Sequence, residues 1–285
     1  MWKQIAGAAA LALASWAAQA QGTPAEAASS AANAEQELGR QISALGWLKP
    51  GTSGSVANKA AFKASEKYTF LGTADTDKFL QLNGNPPPGD AYTIAPVQGS
   101  WFGILSFADE GYIKDDEQID AAALLKQLKE QNVASNERKR QQGYPTMTLE
   151  GWAIPPRYDS SSKRLEWGTR FISDADKQPV VNVSTRILGR SGYTSAVLVT
   201  SPATLDADLA DFKSALKDYD YVSGEKYSEW KQGDKVAAIG LGALVVGGAA
   251  AVASSKGGLK GILLAIAAGA AALWTGIKKL FGRKS

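Results

Sequence analysis

The chain has 285 residues, 45% of them hydrophobic with 8 Trp, and a formal net charge of +3. That is enough for one domain with a real core plus targeting or anchoring segments, and too little positive charge to hold nucleic acid. It contains no Cys and no His, which excludes disulfides, thiol nucleophiles, imidazole bases and zinc sites of the usual Cys/His kind.

In chain order, Met1-Trp2-Lys3 is a short positive start, Ile5–Ala18 is small and apolar, and Ala18-Gln19-Ala20 fits signal-peptidase cleavage before Gln21. Residues 1–20 therefore read as a signal peptide rather than an uncleaved anchor. Export puts the main domain in the periplasm, at the outer face of a bacterial inner membrane. Residues 21–54 read as a linker. Within it, Leu38, Ile42 and Leu45 recur at helical spacing in one short amphipathic helix, and Pro50-Gly51-Thr52-Ser53-Gly54 breaks the chain.

A domain is expected over 55–220. Ser55–Lys63, Lys67–Leu71, Tyr92–Val97 and Ser100–Ala108 pattern as strands, with a helix around Phe79, Leu80 and Leu82 between the second and third. Thr73 or Asp75 caps that helix and Gly84 stops it. A long helix follows, about Glu117–Gln142, ended by Gly143-Tyr144-Pro145. Thr146–Ile154 with Arg164–Phe171, and Val180–Leu188 with Tyr193–Thr200, read as two hairpins. A last helix runs roughly over Leu205–Lys217, capped by Thr204 or Asp206. This order predicts an α+β fold, an antiparallel sheet with flanking helices.

Residues 221–235 read as a juxtamembrane linker and 236–277 as a transmembrane anchor made of two uncharged runs, 236–253 and 261–277, before a basic tail at 278–285. At 18 and 17 residues, both runs sit at the lower limit for spanning a bilayer. Lys278, Lys279, Arg283 and Lys284 favour a single crossing with a cytoplasmic tail. Small residues at Ala243, Gly247 and Ala251, and at Gly261, Ala265 and Gly269, favour close helix packing and so a helical hairpin. The hairpin is the expectation, and the same small faces also suit a homo-oligomer.

Several stretches resemble one family. Glu110-Gly111-Tyr112-Ile113, the segment from Asn132 to Tyr144-Pro145, Gly151–Asp159 and Arg186–Gly192 are similar to the DUF2167 proteins, described as predicted membrane-anchored proteins without an assigned function. The resemblance runs from about Ser55 to the C-terminus. It implies those domain limits and membrane attachment, and it implies no mechanism.

The chemistry-bearing patterns are sparse. Gly111 and Glu117 have the spacing of a calcium loop, but Ala108 falls where a ligand is needed. Asp115 and Asp116 suit better the N-terminus of the long helix. Asp109, Glu110, Asp159 and Glu166 are the carboxylates available to a glycan hydrolase. Ser160-Ser161-Ser162 and Ser191 lack a base and read as turn residues, and Arg138-Lys139-Arg140 as a solvated helix end. The remaining candidate is Trp152, Pro155, Pro156, Arg157, Tyr158 and Asp159. There two prolines fix an extended backbone beside residue types enriched at binding hot spots. An architectural role, with Trp152 in the core and Arg157 paired to Asp159, competes with recognition.

From sequence, then, the chain is a membrane-anchored envelope protein, non-enzymatic, whose partners are the lipid bilayer and an envelope protein. No catalytic residue, metal ligand or cofactor is assigned. The alternative is a His- and Cys-free envelope hydrolase using carboxylates on glycan or peptide.

Overall fold

Alternating and fully apolar β-branched stretches build the centre of the molecule. In the computed structural model, which describes residues 33, 36–98 and 101–247, these stretches pair into one seven-stranded sheet. Its strands are β3 (Tyr68–Leu71), β4 (Tyr92–Pro96), β5 (Phe102–Ala108), β6 (Met147–Asp159), β7 (Arg164–Ser173), β8 (Pro179–Leu188) and β9 (Tyr193–Thr200). The spatial order is β3-β4-β5-β9-β8-β7-β6 and every neighbouring pair is antiparallel. The antiparallel α+β expectation holds.

Period-2 geometry sends alternate residues to opposite faces. One face carries Val181, Val183, Ala196 and Leu198, which pack with Phe212 and Ala215 of helix α4 (Leu205–Ala215). A small second sheet shares that core. It consists of β1 (Ser53–Val56), β2 (Ala60–Lys63) and β10 (Tyr219–Tyr221), in the order β1-β2-β10. The other face carries Leu165, Trp167, Phe171 and Leu188, covered by Ile113, Leu128 and Tyr227.

The sheet ends at β6, and an exposed edge invites unwanted pairing. Helix α3 (Ala121–Gln141) blocks it with two amides. Asn132 and Asn136 both donate through Nδ2 to the Met147 carbonyl, at 3.0 and 2.8 Å. Their Oδ1 atoms accept from Leu149 N at 3.0 Å and Met147 N at 3.3 Å. The side chains thus stand in for a missing strand. Asp120 is the N-cap of α3, its Oδ1 accepting from Ala122 N and Ala123 N at 3.0 Å each. Asp115, expected near the cap, serves elsewhere.

The folded unit extends past 55–220 at both ends. Residues 36–43 are helical (α1), and Ile42 is buried with Leu71, Phe79 and Leu80, the last two from α2 (Thr73–Leu82). The stretch read as linker therefore begins the domain. At the other end, 221–235 is a strap tied down by Tyr227 and Asp234. The run 236–253, read as a first span, is described as far as 247. Val236 bridges to Tyr112, and Leu241, Leu244 and Val245 of the short helix α5 (Leu241–Val245) are 0% exposed in the core with Trp167. Glu117 Oε2 accepts from Gly242 N at 3.1 Å. Among the described residues no helix is long and apolar enough to cross a membrane. The signal peptide, the rest of the first run, all of 261–277 and the basic tail lie outside the described residues.

Candidate functional site

The β6–β7 turn, the end of β8, Tyr112 beyond β5, β10 and the strap meet at one end of the large sheet, where they line a groove of about 550 Å³. Its first wall is the β6–β7 turn. Asp159 shapes that turn as an Asx cap, its Oδ1 accepting from Ser161 N and Ser161 Oγ at 2.9 and 2.7 Å, and its Oδ2 from Ser162 Oγ at 2.8 Å. Lys163 takes a positive φ of 54°, which turns its side chain inward. Its Nζ donates to Asp115 Oδ2 at 2.8 Å and stands 5.0 Å above the Tyr227 ring. Tyr158 OH donates to the same carboxylate oxygen at 2.7 Å.

The second wall is aromatic. Tyr112 stacks on Tyr227 with ring centroids 4.4 Å apart, and Trp230 lies 5.2 Å from Tyr112 on another side. Tyr227 OH donates to the Ile113 carbonyl at 2.8 Å. Tyr112 is held through its own backbone, its N donating to Lys235 O at 2.8 Å and its O accepting from Ala237 N at 2.9 Å. That close approach needs Gly111. Its φ is +95°, and a Cβ there would lie 2.7 Å from Lys235 O. The rings are therefore set before any ligand arrives.

Behind the groove, Arg190 forks onto Asp234, with Nε to Oδ2 and Nη2 to Oδ1 at 2.7 Å each. Lys59 Nζ and Ser191 Oγ both bond the Glu225 carboxylate. Arg190, Ser191, Glu225 and Asp234 line a smaller cavity of about 300 Å³ together with Asp109, Gly111 and Lys235.

The electrostatics point one way. Burial alone would raise the Asp115 carboxyl, but the bonds from Lys163 and Tyr158 outweigh it and hold the carboxyl below its ordinary value. Glu225 behaves alike: burial opposes, and Lys59 and Ser191 prevail downward. Serine hydroxyls hold Asp159 far down, and Arg190 brings Asp234 to about 2. Tyr158 and Tyr227 are pushed up, chiefly by burial. The acids with shifted values stay ionised and the phenols stay protonated at neutral pH. Among the described residues no three His, Cys, Asp or Glu side chains converge as a metal site would require.

The sequence candidates lie beside this groove, dispersed along β6. Trp152 is half-buried, its Nε1 donating to Ala121 O at 3.0 Å. Pro155 and Pro156 sit where the β6 register slips between Ile154 and Arg157. Proline is tolerated there because a bulge on an edge strand needs no ladder donor. Arg157 is exposed opposite Glu166, not bonded to Asp159, and Glu166 takes Lys213 Nζ at 2.9 Å. None of the six lines the groove; Tyr158 reaches its wall through Asp115 and Lys163, and Asp159 through Ser161 and Ser162. Trp152 is thus tied to the start of α3 and the prolines to the β6 bulge, and the rings lining the groove include Tyr112, Tyr227 and Trp230. One signal for them was present in the sequence. A true linker would not carry Tyr219, Tyr221, Tyr227 and Trp230 within a dozen residues.

A family model described as "Protein of unknown function (DUF2167)" matches residues 49–278. No curated protein matches the chain. Among solved structures, the solution structure of cyanobacterial PsbP (CyanoP) from Synechocystis sp. PCC 6803 is similar at 9% identity and a TM-score of 0.35. The match covers 61% of this chain and 95% of that one.

Proposed function

Because the chain belongs to the DUF2167 family, whose description assigns no activity, we propose from its own geometry that it is a non-enzymatic, membrane-anchored envelope protein. In this reading the groove beside Tyr112, Tyr227 and Trp230 holds a segment of a partner protein. The observation that carries it is a preassembled aromatic wall facing a basic turn, Lys163-Arg164, inside a volume suited to a few side chains. Tyr and Trp offer large contact area for little ordering cost, which is why they dominate binding hot spots. The hydrolase alternative needs a carboxyl with a raised pKa to act as general acid. Asp115 and Asp159, which bond the groove-lining Lys163, Ser161 and Ser162, are held the opposite way, and the lining acid Asp220 is paired with Lys226.

Anchoring falls to 261–277 in this proposal. Residues 236–246 are engaged with the domain, so a hairpin loses half of its first span. One crossing then leaves Lys278, Lys279, Arg283 and Lys284 on the cytoplasmic side and the domain in the periplasm. The small face Gly261, Ala265 and Gly269 is left for a second copy.

Co-purification in mild detergent tests the groove. A stoichiometric protein partner retained by the wild type and by Trp152→Phe, and lost from Trp230→Ala, is expected. A partner held equally by Trp230→Ala and Tyr112→Ala would remove the groove from the interaction.

A further inference from the structure

Among the described residues, the exposed large hydrophobic side chains are Val133, Val222, Trp230 and Val236. Single exposed apolar residues need no explanation. Here Val222 and Trp230 fall on the strap 221–235 and Val236 follows it directly, where the chain enters its apolar C-terminal part.

The charges of that strap are sorted by direction. Its acids point inward and are occupied. Glu225 bonds Lys59 and Ser191. Glu229 Oε2 accepts from Gly224 N and Lys226 N at 2.8 Å each, and Asp234 is held by Arg190 and by Lys231 N. Its lysines lie at the surface: Lys231 and Lys235 are exposed, Lys235 Nζ donating to Asp109 O at 3.0 Å, and Lys226 lies against Asp220. What the strap shows to its surroundings is Val, Trp and Lys among small or uncharged residues, with no exposed acid.

We infer that this strap is a bilayer-facing surface, with Val222, Trp230 and Val236 at headgroup depth and Lys231 against anionic lipid. The inference rests on the anchored reading proposed above. Trp is the side chain most at home at the membrane–water interface, and each lysine near an anionic surface adds attraction. A second copy of this chain is the poorer occupant, since a two-fold contact would set like lysines against each other. The orientation follows from the fold. The strap crosses the sheet end that holds the β8–β9 turn, where Gly189 bridges to Lys226. The strands therefore stand with that end toward the membrane, and the groove opens at headgroup level.

The chain has no Cys, so one introduced thiol carries one fluorophore. Gln232→Cys labels the exposed strap. Val133→Cys labels α3 near Asn136, which binds the start of β6, the end opposite the groove. The full chain is reconstituted in phosphatidylcholine–phosphatidylglycerol vesicles with a nitroxide on the lipid headgroup. The label at 232 is expected to lose most of its emission while that at 133 keeps it. A chain that floats with the vesicles yet shows equal emission at both positions overturns the inference and leaves the anchor standing. A chain that does not float removes both.

Discussion

Arg190 and Asp234 meet as two parallel N–H···O bonds of 2.7 Å, one from Nε and one from Nη2. The pair joins the β8–β9 turn to the strap. Lysine cannot reproduce this fork, because its ammonium is a point donor. Arg190→Lys is expected to loosen the strap although charge is conserved. Limited proteolysis should then cut within 222–236 at protease levels that leave the wild type whole.

The same pair sets an acid response. Asp234 titrates at about 2 in the fold, below the roughly 3.9 of an unfolded aspartate. A depressed folded value means stabilisation that is complete above the unfolded pKa and lost as pH falls through the folded one. The difference in stability between wild type and Asp234→Asn should therefore be constant at neutral pH and shrink between about pH 4 and 2. Urea midpoints across that range measure it.

At the β6 edge, Asn136 is 5% exposed and bonds both the N–H and the C=O of Met147. Asn136→Ala strands the Met147 N–H, while the carbonyl keeps its bond from Asn132, and should cost about 1–3 kcal/mol. Urea denaturation gives the cost. Asn132→Ala combined with it should also promote aggregation, visible by light scattering, because the edge is then open to a second chain.

Arg186 is 7% exposed between the rings of Trp167 and Tyr193, at 4.7 and 5.6 Å. Its Nη1 donates to Ser195 Oγ at 2.6 Å and its Nε meets no acceptor. Burial pulls its pKa down. Replacing a buried charge by an apolar side chain of similar length is often neutral or stabilising. Arg186→Met is therefore expected to keep or raise the melting temperature. A loss of more than about 3 kcal/mol would mean the charge has a partner that matters.

Much of the sheet was legible because β5, β7, β8 and β9 are long, β-branched and bounded by turns such as Gly189-Arg190-Ser191-Gly192. The continuation of β6 through Pro155-Pro156 was not, since proline ordinarily ends a strand and only an edge bulge permits it here. The α3 cap was misplaced because several acids precede the helix, and only the fold decides that Asp120 caps while Asp115 faces Lys163. The groove was least legible. Tyr112 and Tyr227 are far apart in sequence, and what joins them is a backbone pairing of Tyr112 with 235–237 that no local pattern encodes. The described part of the run 236–253 shows a related limit. Leu241, Leu244 and Val245 are apolar because they are core, and composition alone does not separate core from lipid.

Topology has a direct readout. A fluorescent protein that matures only in the cytoplasm, fused after Ser285, should be bright if 261–277 crosses once. Dark cells with intact fusion would return the hairpin.

The central claim is that the wall of Tyr112, Tyr227 and Trp230 receives a protein partner. A photoactivatable benzophenone residue at Ser228, which lines the groove and is exposed, tests it in living cells. The account predicts one discrete crosslinked protein, abolished by Trp230→Ala in a chain that still melts cooperatively, and no such product from a probe at Val133. The absence of any crosslink at 228, or the same product from both positions, would contradict it.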